Sequence, residues 1–200
     1  MIRGNHDDPQ YYQKQLIKGK YIVAVPDYTV INDKILCIGG ATSIDRTRRI
    51  ANKELIVSHY MKYHPGVSMN EAIEKTPNGY WEGELPVYDE KSLQKLKDNG
   101  IQIKHVVTHT CPSFCDPTHK DGLRYWARMD ATLFDTIDKE RSVMDKIYNK
   151  LVSDGHPIET WTYGHYHRHS SQEYDGIRYV MLDGLTLNNR NIDCLEIIDK

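Results

Sequence analysis

Ile158-Glu159-Thr160-Trp161-Thr162-Tyr163-Gly164-His165-Tyr166-His167 reads as a short apolar strand that runs straight into Gly-His-x-His. The same layout recurs upstream, where the apolar run Ile101 to Val107 feeds Thr108-His109-Thr110-Cys111-Pro112. A third string, Gly4-Asn5-His6-Asp7, opens the chain. A side chain placed where a strand ends is held by a rigid element yet faces solvent. Imidazole is the commonest metal ligand, and His-x-His presents two ring nitrogens to neighbouring ions. Gly-His-x-His alone arises by chance in roughly one chain of this size in forty. Its occurrence together with Gly-Asn-His-Asp, with Thr-His-x-x-Pro between them, makes coincidence a poor explanation and points to a metal site.

Outward from these strings the chain alternates strands and helices. Asp8-Pro9 has the cap and first-turn chemistry of a helix running to about Lys18 and stopping at Gly19. Tyr21 to Val25, Tyr28 to Ile31 and Lys34 to Ile38 are strand-like, the last two joined by an Asn32-Asp33 turn. Ala41 to about Pro86 shows no clear period, apart from a short helix over Asn70 to Lys75, and reads as a long loop. Asp89 to Asn99 is a helix closed by Gly100, and Cys111 to Arg128 is a second irregular loop. Leu133, Ile137, Val143, Met144, Ile147 and Leu151 mark a long amphipathic helix ending near Gly155. Tyr174 to Ile177 is a hairpin turn into the strand Arg178 to Leu182, and Cys194 to Ile198 is a last strand. This pattern predicts an α/β layered fold.

The 200 residues suit one domain with one core. A net charge of -2 gives no basic signature for nucleic acid. No apolar run reaches the roughly 18 residues of a membrane span, and the polar start is unlike a signal peptide. A cytoplasmic location is therefore expected. Four cysteines, Cys37, Cys111, Cys115 and Cys194, are too scattered for a disulfide framework. There are 10 histidines and 14 tyrosines; His59, His64, His105, His119, His156 and His169 show no partner pattern and read as surface or packing residues.

Taken in order, Gly4-Asn5-His6-Asp7, the strand-end His109 and Gly164-His165-Tyr166-His167 resemble the calcineurin-like phosphoesterase superfamily. Gly39-Gly40-Ala41-Thr42-Ser43-Ile44-Asp45-Arg46 also resembles a string common in bacterial and phage members. The resemblance implies a layered β-sandwich flanked by helices and a dinuclear centre of Mn, Fe or Zn ions that activates water against a phosphate ester. By that resemblance Asn5, His109 and His165 ligate the second metal and His167 the first. His6 protonates the leaving oxygen or stabilises charge on the phosphate.

The family's other two motifs, Asp-x-His and Gly-Asp-x-x-Asp, precede Gly-Asn-His-Asp, which here begins at Gly4. The resemblance thus implies a domain over residues 1–200 that is incomplete at its N-terminus, lacking a strand-helix-strand unit of about 30 residues or more. It leaves His167 alone for the first metal and three neutral ligands for the second, so at most one weakly held divalent ion is expected in this chain. The expected activity is metal-dependent hydrolysis of phosphate mono- or diesters, impaired by the absent carboxylates. The alternatives are a catalytically inactive fragment or interaction scaffold, and a nucleic-acid phosphodiesterase of the same fold.

Several residues carry weaker signals. Arg46, in a cluster with Arg48 and Arg49, is a candidate phosphate contact, because guanidinium binds phosphate bidentately. Cys111 and Cys115 beside His109 lack the four ligands of a closed zinc site. Tyr80-Trp81 is either a stacking platform or lid packing.

Overall fold

In a computed structural model of the protein, residues 1–118 and 120–183 are described. The expected last strand, Cys194 to Ile198, and His119 lie outside them. Six strands form one sheet: β1 (Thr29–Ile31), β2 (Ile35–Ile38), β3 (His105–Thr108), β4 (Thr160–Tyr163), β5 (Ser170–Tyr174) and β6 (Ile177–Met181), in the order β1-β2-β3-β4-β6-β5. β2, β3, β4 and β6 are mutually parallel, and β1 and β5 are antiparallel edges. Both hairpin turns are legible in the sequence: Asn32-Asp33 and Asp175-Gly176 each take positive φ at both residues, as tight hairpins require. The fold is α/β, with one mixed sheet among the described residues rather than the two sheets of a sandwich.

The helices are α1 (Pro9–Gln13), α2 (Arg46–Tyr63), α3 (Met69–Lys75), α4 (Glu90–Asp98), α5 (Lys120–Ala127) and α6 (Leu133–Ser153), with a 3-10 turn at Ser113–Cys115. Asp8 caps α1 by accepting from the Gln10 amide. That helix ends sooner than expected because Gln15 turns left-handed at φ 50°. Its closure bonds run from Leu16 N to Tyr11 O and from Gln15 N to Tyr12 O. Tyr21 to Val25 is not a strand; only a Lys18–Val23 bridge forms, and Tyr21 is exposed.

The segment from Ala41 to Pro86, expected as a loop, contains the 18-residue α2. Val57 is its one buried residue, so it carries no apolar stripe for a periodicity reading to find. Within the expected loop from Cys111 to Arg128 lies α5.

The main core is built on the sheet. Leu36, Val106, Trp161 and Tyr179 come from four neighbouring strands, and Met144, Ile147 and Leu151 from α6. The Trp161 indole N–H donates to Thr108 Oγ1 at 2.9 Å, which satisfies the one polar atom that the buried ring brings. A smaller cluster of Leu123, Leu133 and Ile137 joins α5 to α6. No helix among the described residues is long and apolar enough to cross a membrane.

Candidate metal and phosphate site

The parallel register of β3 and β4 pairs Thr108 with Tyr163, so the two chains leave the sheet level with each other. Gly164 N then bonds His109 O at 3.3 Å, and the His109 and His165 ring centroids come to 5.1 Å. Two imidazoles sharing one tetrahedral ion at ~2.1 Å have centroids roughly 5 Å apart. The spacing therefore fits a shared ion.

Asn5 arrives from a third direction, with its Oδ1 3.0 Å from His109 Nε2. Its amide nitrogen donates to Ser43 Oγ at 3.0 Å, which leaves the carbonyl oxygen facing His109. Ser43 is held in turn by the buried Glu84, which accepts from its hydroxyl at 2.6 Å and from its amide at 2.7 Å. Gly4 permits this approach: a Cβ there would lie 3.2 Å from His109 Cε1. His165 and His167 sit at φ 73° and 51° in the turn after β4, a left-handed conformation that a β-carbon disfavours.

Burial pulls the pKa of His109 down to about 3, with His165 beside it adding to the shift. His165 is likewise lowered to about 3, by burial first and then by the Arg141 charge. Both rings are thus neutral at ordinary pH, which is the form that ligates metal. Asn5, His109 and His165 fit one cation.

Among the described residues no three His, Cys, Asp or Glu side chains form a metal-binding group. The nearby carboxylates are already engaged. Asp7 accepts from Gly4 N at 2.7 Å and from Tyr12 OH at 2.9 Å. Asp45 is bound by Arg48 and Arg49, at 3.1 and 2.8 Å. Glu140 accepts from Thr42 N, Thr110 Oγ1 and Arg141 Nη1.

Asn5, His6, His165 and His167 all border one cavity of about 460 Å³, together with Arg49 and Arg168. His6 Nε2 lies 2.6 Å from Arg49 Nη2. A guanidinium only donates, so this nitrogen accepts and carries no proton to give a leaving group. Partial enclosure and the Arg49 charge lower the His6 pKa, in the same sense.

Arg46 does not border the cavity. Its guanidinium is taken up by Asp130 at 2.5 Å, Thr132 at 2.9 Å and Thr136 at 3.0 Å, tying α2 to the start of α6. Arg49, nearly one turn further along α2, is the arginine at the cavity. Sequence reasoning also passed over Ser43, Glu84, Glu140, Arg141 and Tyr166. Ser43 lay within a recognised string; Glu84 had no signal at all. Burial raises the thiol pKa of Cys111 to about 12 and of Cys115 to about 11, and both pack in the core.

The depressed histidines set a pH dependence. Their folded pKa lies below the ordinary 6.5, so between pH 6.5 and 3 the unfolded chain binds protons that the folded chain refuses. Stability is then full above 6.5 and falls as the pH drops. The metal-free protein is expected to lose on the order of 2 kcal/mol per histidine by pH 5. His156, also lowered by burial, acts in the same sense. Thermal melts at pH 7.5 and 5 check this, and His109→Gln/His165→Gln should flatten the slope. A melting temperature independent of pH over that range would contradict it.

No family model, no curated protein and no solved structure matches this chain.

Proposed function

We propose that this chain carries the Asn-His-His half of a metal-dependent phosphoester hydrolase site of the calcineurin-like kind. The observation that supports it best is the convergence of Asn5, His109 and His165 from three chain segments, with His6 and His167 bordering the same cavity. A divalent ion on those three donors would supply Lewis acidity toward a phosphate oxygen. The chain's own residues supply the rest. Arg49 offers its guanidinium to the phosphate, and a phosphate that draws Arg49 away from His6 frees that ring to take up and pass on a proton. Glu84, through Ser43, keeps the Asn5 carbonyl aimed at His109. In this reading the carboxylates for a second ion come from another segment or chain, because Asp7, Asp45 and Glu140 are held by other partners.

Manganese-stimulated hydrolysis of p-nitrophenyl phosphate and bis-p-nitrophenyl phosphate tests the reading. It should be run on the 200 residues alone and on the same residues preceded by a segment carrying Asp-x-His and Gly-Asp-x-x-Asp. Turnover is expected with the carboxylate motifs present and near background without them. Equal turnover in both, lost on His165→Ala, would mean that those motifs are dispensable. No turnover in either would favour a scaffold.

A further inference from the structure

The cavity beside the histidines has two unlike halves. One is polar, with His6, Arg49 and its partner Asp45, His165, His167 and Arg168. The other is built from Ile44, Pro117, Leu123, Trp126 and Ile137. That apolar half is the exposed side of the smaller cluster, in which Leu123, Leu133 and Ile137 are buried and Ile44 and Trp126 pack half-buried against them. Trp126 is anchored by residues that do not border the cavity: the Arg48 guanidinium carbon sits 5.2 Å from its ring centroid, and Tyr125 meets it edge-on at 5.2 Å. A lone phosphate fills only a small part of about 460 Å³ and gains nothing from an indole or a leucine.

We propose that the cavity selects phosphoesters of an aromatic alcohol, with the ring against Trp126, Leu123 and Ile137 and the phosphoryl group against Arg49 and His6. The inference rests on the phosphoester reading of the same cavity. An unsubstituted aryl ring fits this wall better than a nucleobase does, because a base edge needs several donors and acceptors. Next to Pro117 and Ile137 along the chain, the polar side chains that border the cavity are spent. Thr118 bonds Asp116, Glu140 bonds three donors, and Arg141 bonds Asp116, Thr110 and Tyr166. Among the bordering residues Thr42 Oγ1 is a single buried hydroxyl with no partner.

The test is binding to the full chain in manganese buffer, by calorimetry, of three non-reacting or slowly reacting probes: naphthylmethylphosphonate, methylphosphonate and adenosine monophosphate. The naphthyl compound is expected to bind at least ~10-fold tighter than methylphosphonate, from the apolar area it buries. Trp126→Ala should bring that ratio close to one. Should this variant fold poorly by circular dichroism, Trp126→Leu should still lower the ratio. Equal affinity of the two phosphonates in the unmodified chain would overturn the aromatic subsite and leave the phosphate reading standing. Binding of neither phosphonate would overturn both. Adenosine monophosphate binding as tightly as the naphthyl compound would assign the wall to a nucleobase and overturn the aryl assignment.

Discussion

Replacing Glu140 with leucine is expected to destabilise the fold by roughly 3–5 kcal/mol, the usual cost of breaking a buried charged pair from one side. Glu140 is 2% exposed and Arg141 7%. The carboxylate accepts from Thr42 N at 2.5 Å, Thr110 Oγ1 at 2.5 Å and Arg141 Nη1 at 2.7 Å. Leucine would leave the Thr42 amide and the Thr110 hydroxyl without that acceptor, and Arg141 with only Asp116, at 2.8 Å, to balance it. For a chain of this size the melting temperature should fall by about 10 °C. The pair Glu140→Leu/Arg141→Met should lose less than the sum of the single changes, because the Glu140–Arg141 interaction is then lost once and only Asp116, which Thr118 also bonds, is left without its cation. Denaturant titration of the three variants checks this. A loss under about 1 kcal/mol for Glu140→Leu would show that the network is incidental.

The same network has a functional reading. Thr42 follows β2, Thr110 follows β3 and Tyr166 follows β4, and all three bond to Glu140 or Arg141 on α6. One buried pair thereby ties together the loops that carry His109 and His165 and the loop whose Ser43 holds Asn5.

In protein supplied with the two carboxylate motifs, the largest kinetic effects are expected at His165 and His6. His165→Ala removes one of three donors to the ion and should reduce manganese-dependent turnover to background. His6→Ala should cost ~10²–10⁴-fold, the range for losing a proton-transferring side chain. The two losses should not multiply, since both groups serve one step. Arg49→Met is a sharper probe of the pairing: it should raise KM for the phosphoester by losing an anion contact and raise the His6 pKa by removing the neighbouring charge. Steady-state kinetics across pH reads both. Unchanged turnover in His165→Ala would contradict the proposed role of that ring.

The convergence of the histidine-bearing turns was more legible in the sequence than the scaffold around them. His109 and His165 announced themselves because each follows an apolar run, and parallel pairing of β3 with β4 then brings them level. The α2 helix was illegible for the opposite reason. It buries only Val57, so its helical period leaves no hydrophobic trace. Arg46 and Arg49 are chemically identical in sequence; the difference of three positions on α2 sends one to Asp130 and the other to His6. On α6 the apolar positions Ile137, Met144, Ile147 and Leu151 were plain, but Glu140 and Arg141 lie on the same buried face. A hydrophobicity reading passes over charged residues there, because their burial depends on partners far away in sequence.

Isothermal calorimetry of the 200-residue chain with manganese or zinc measures the ligand set itself. One ion per chain, weakly bound and lost on His109→Ala or His165→Ala in variants that stay folded, is the expected result, since Asn5, His109 and His165 are three neutral donors without a carboxylate. Two tight ions per chain, or binding that survives His165→Ala, would show that these three residues are not the site.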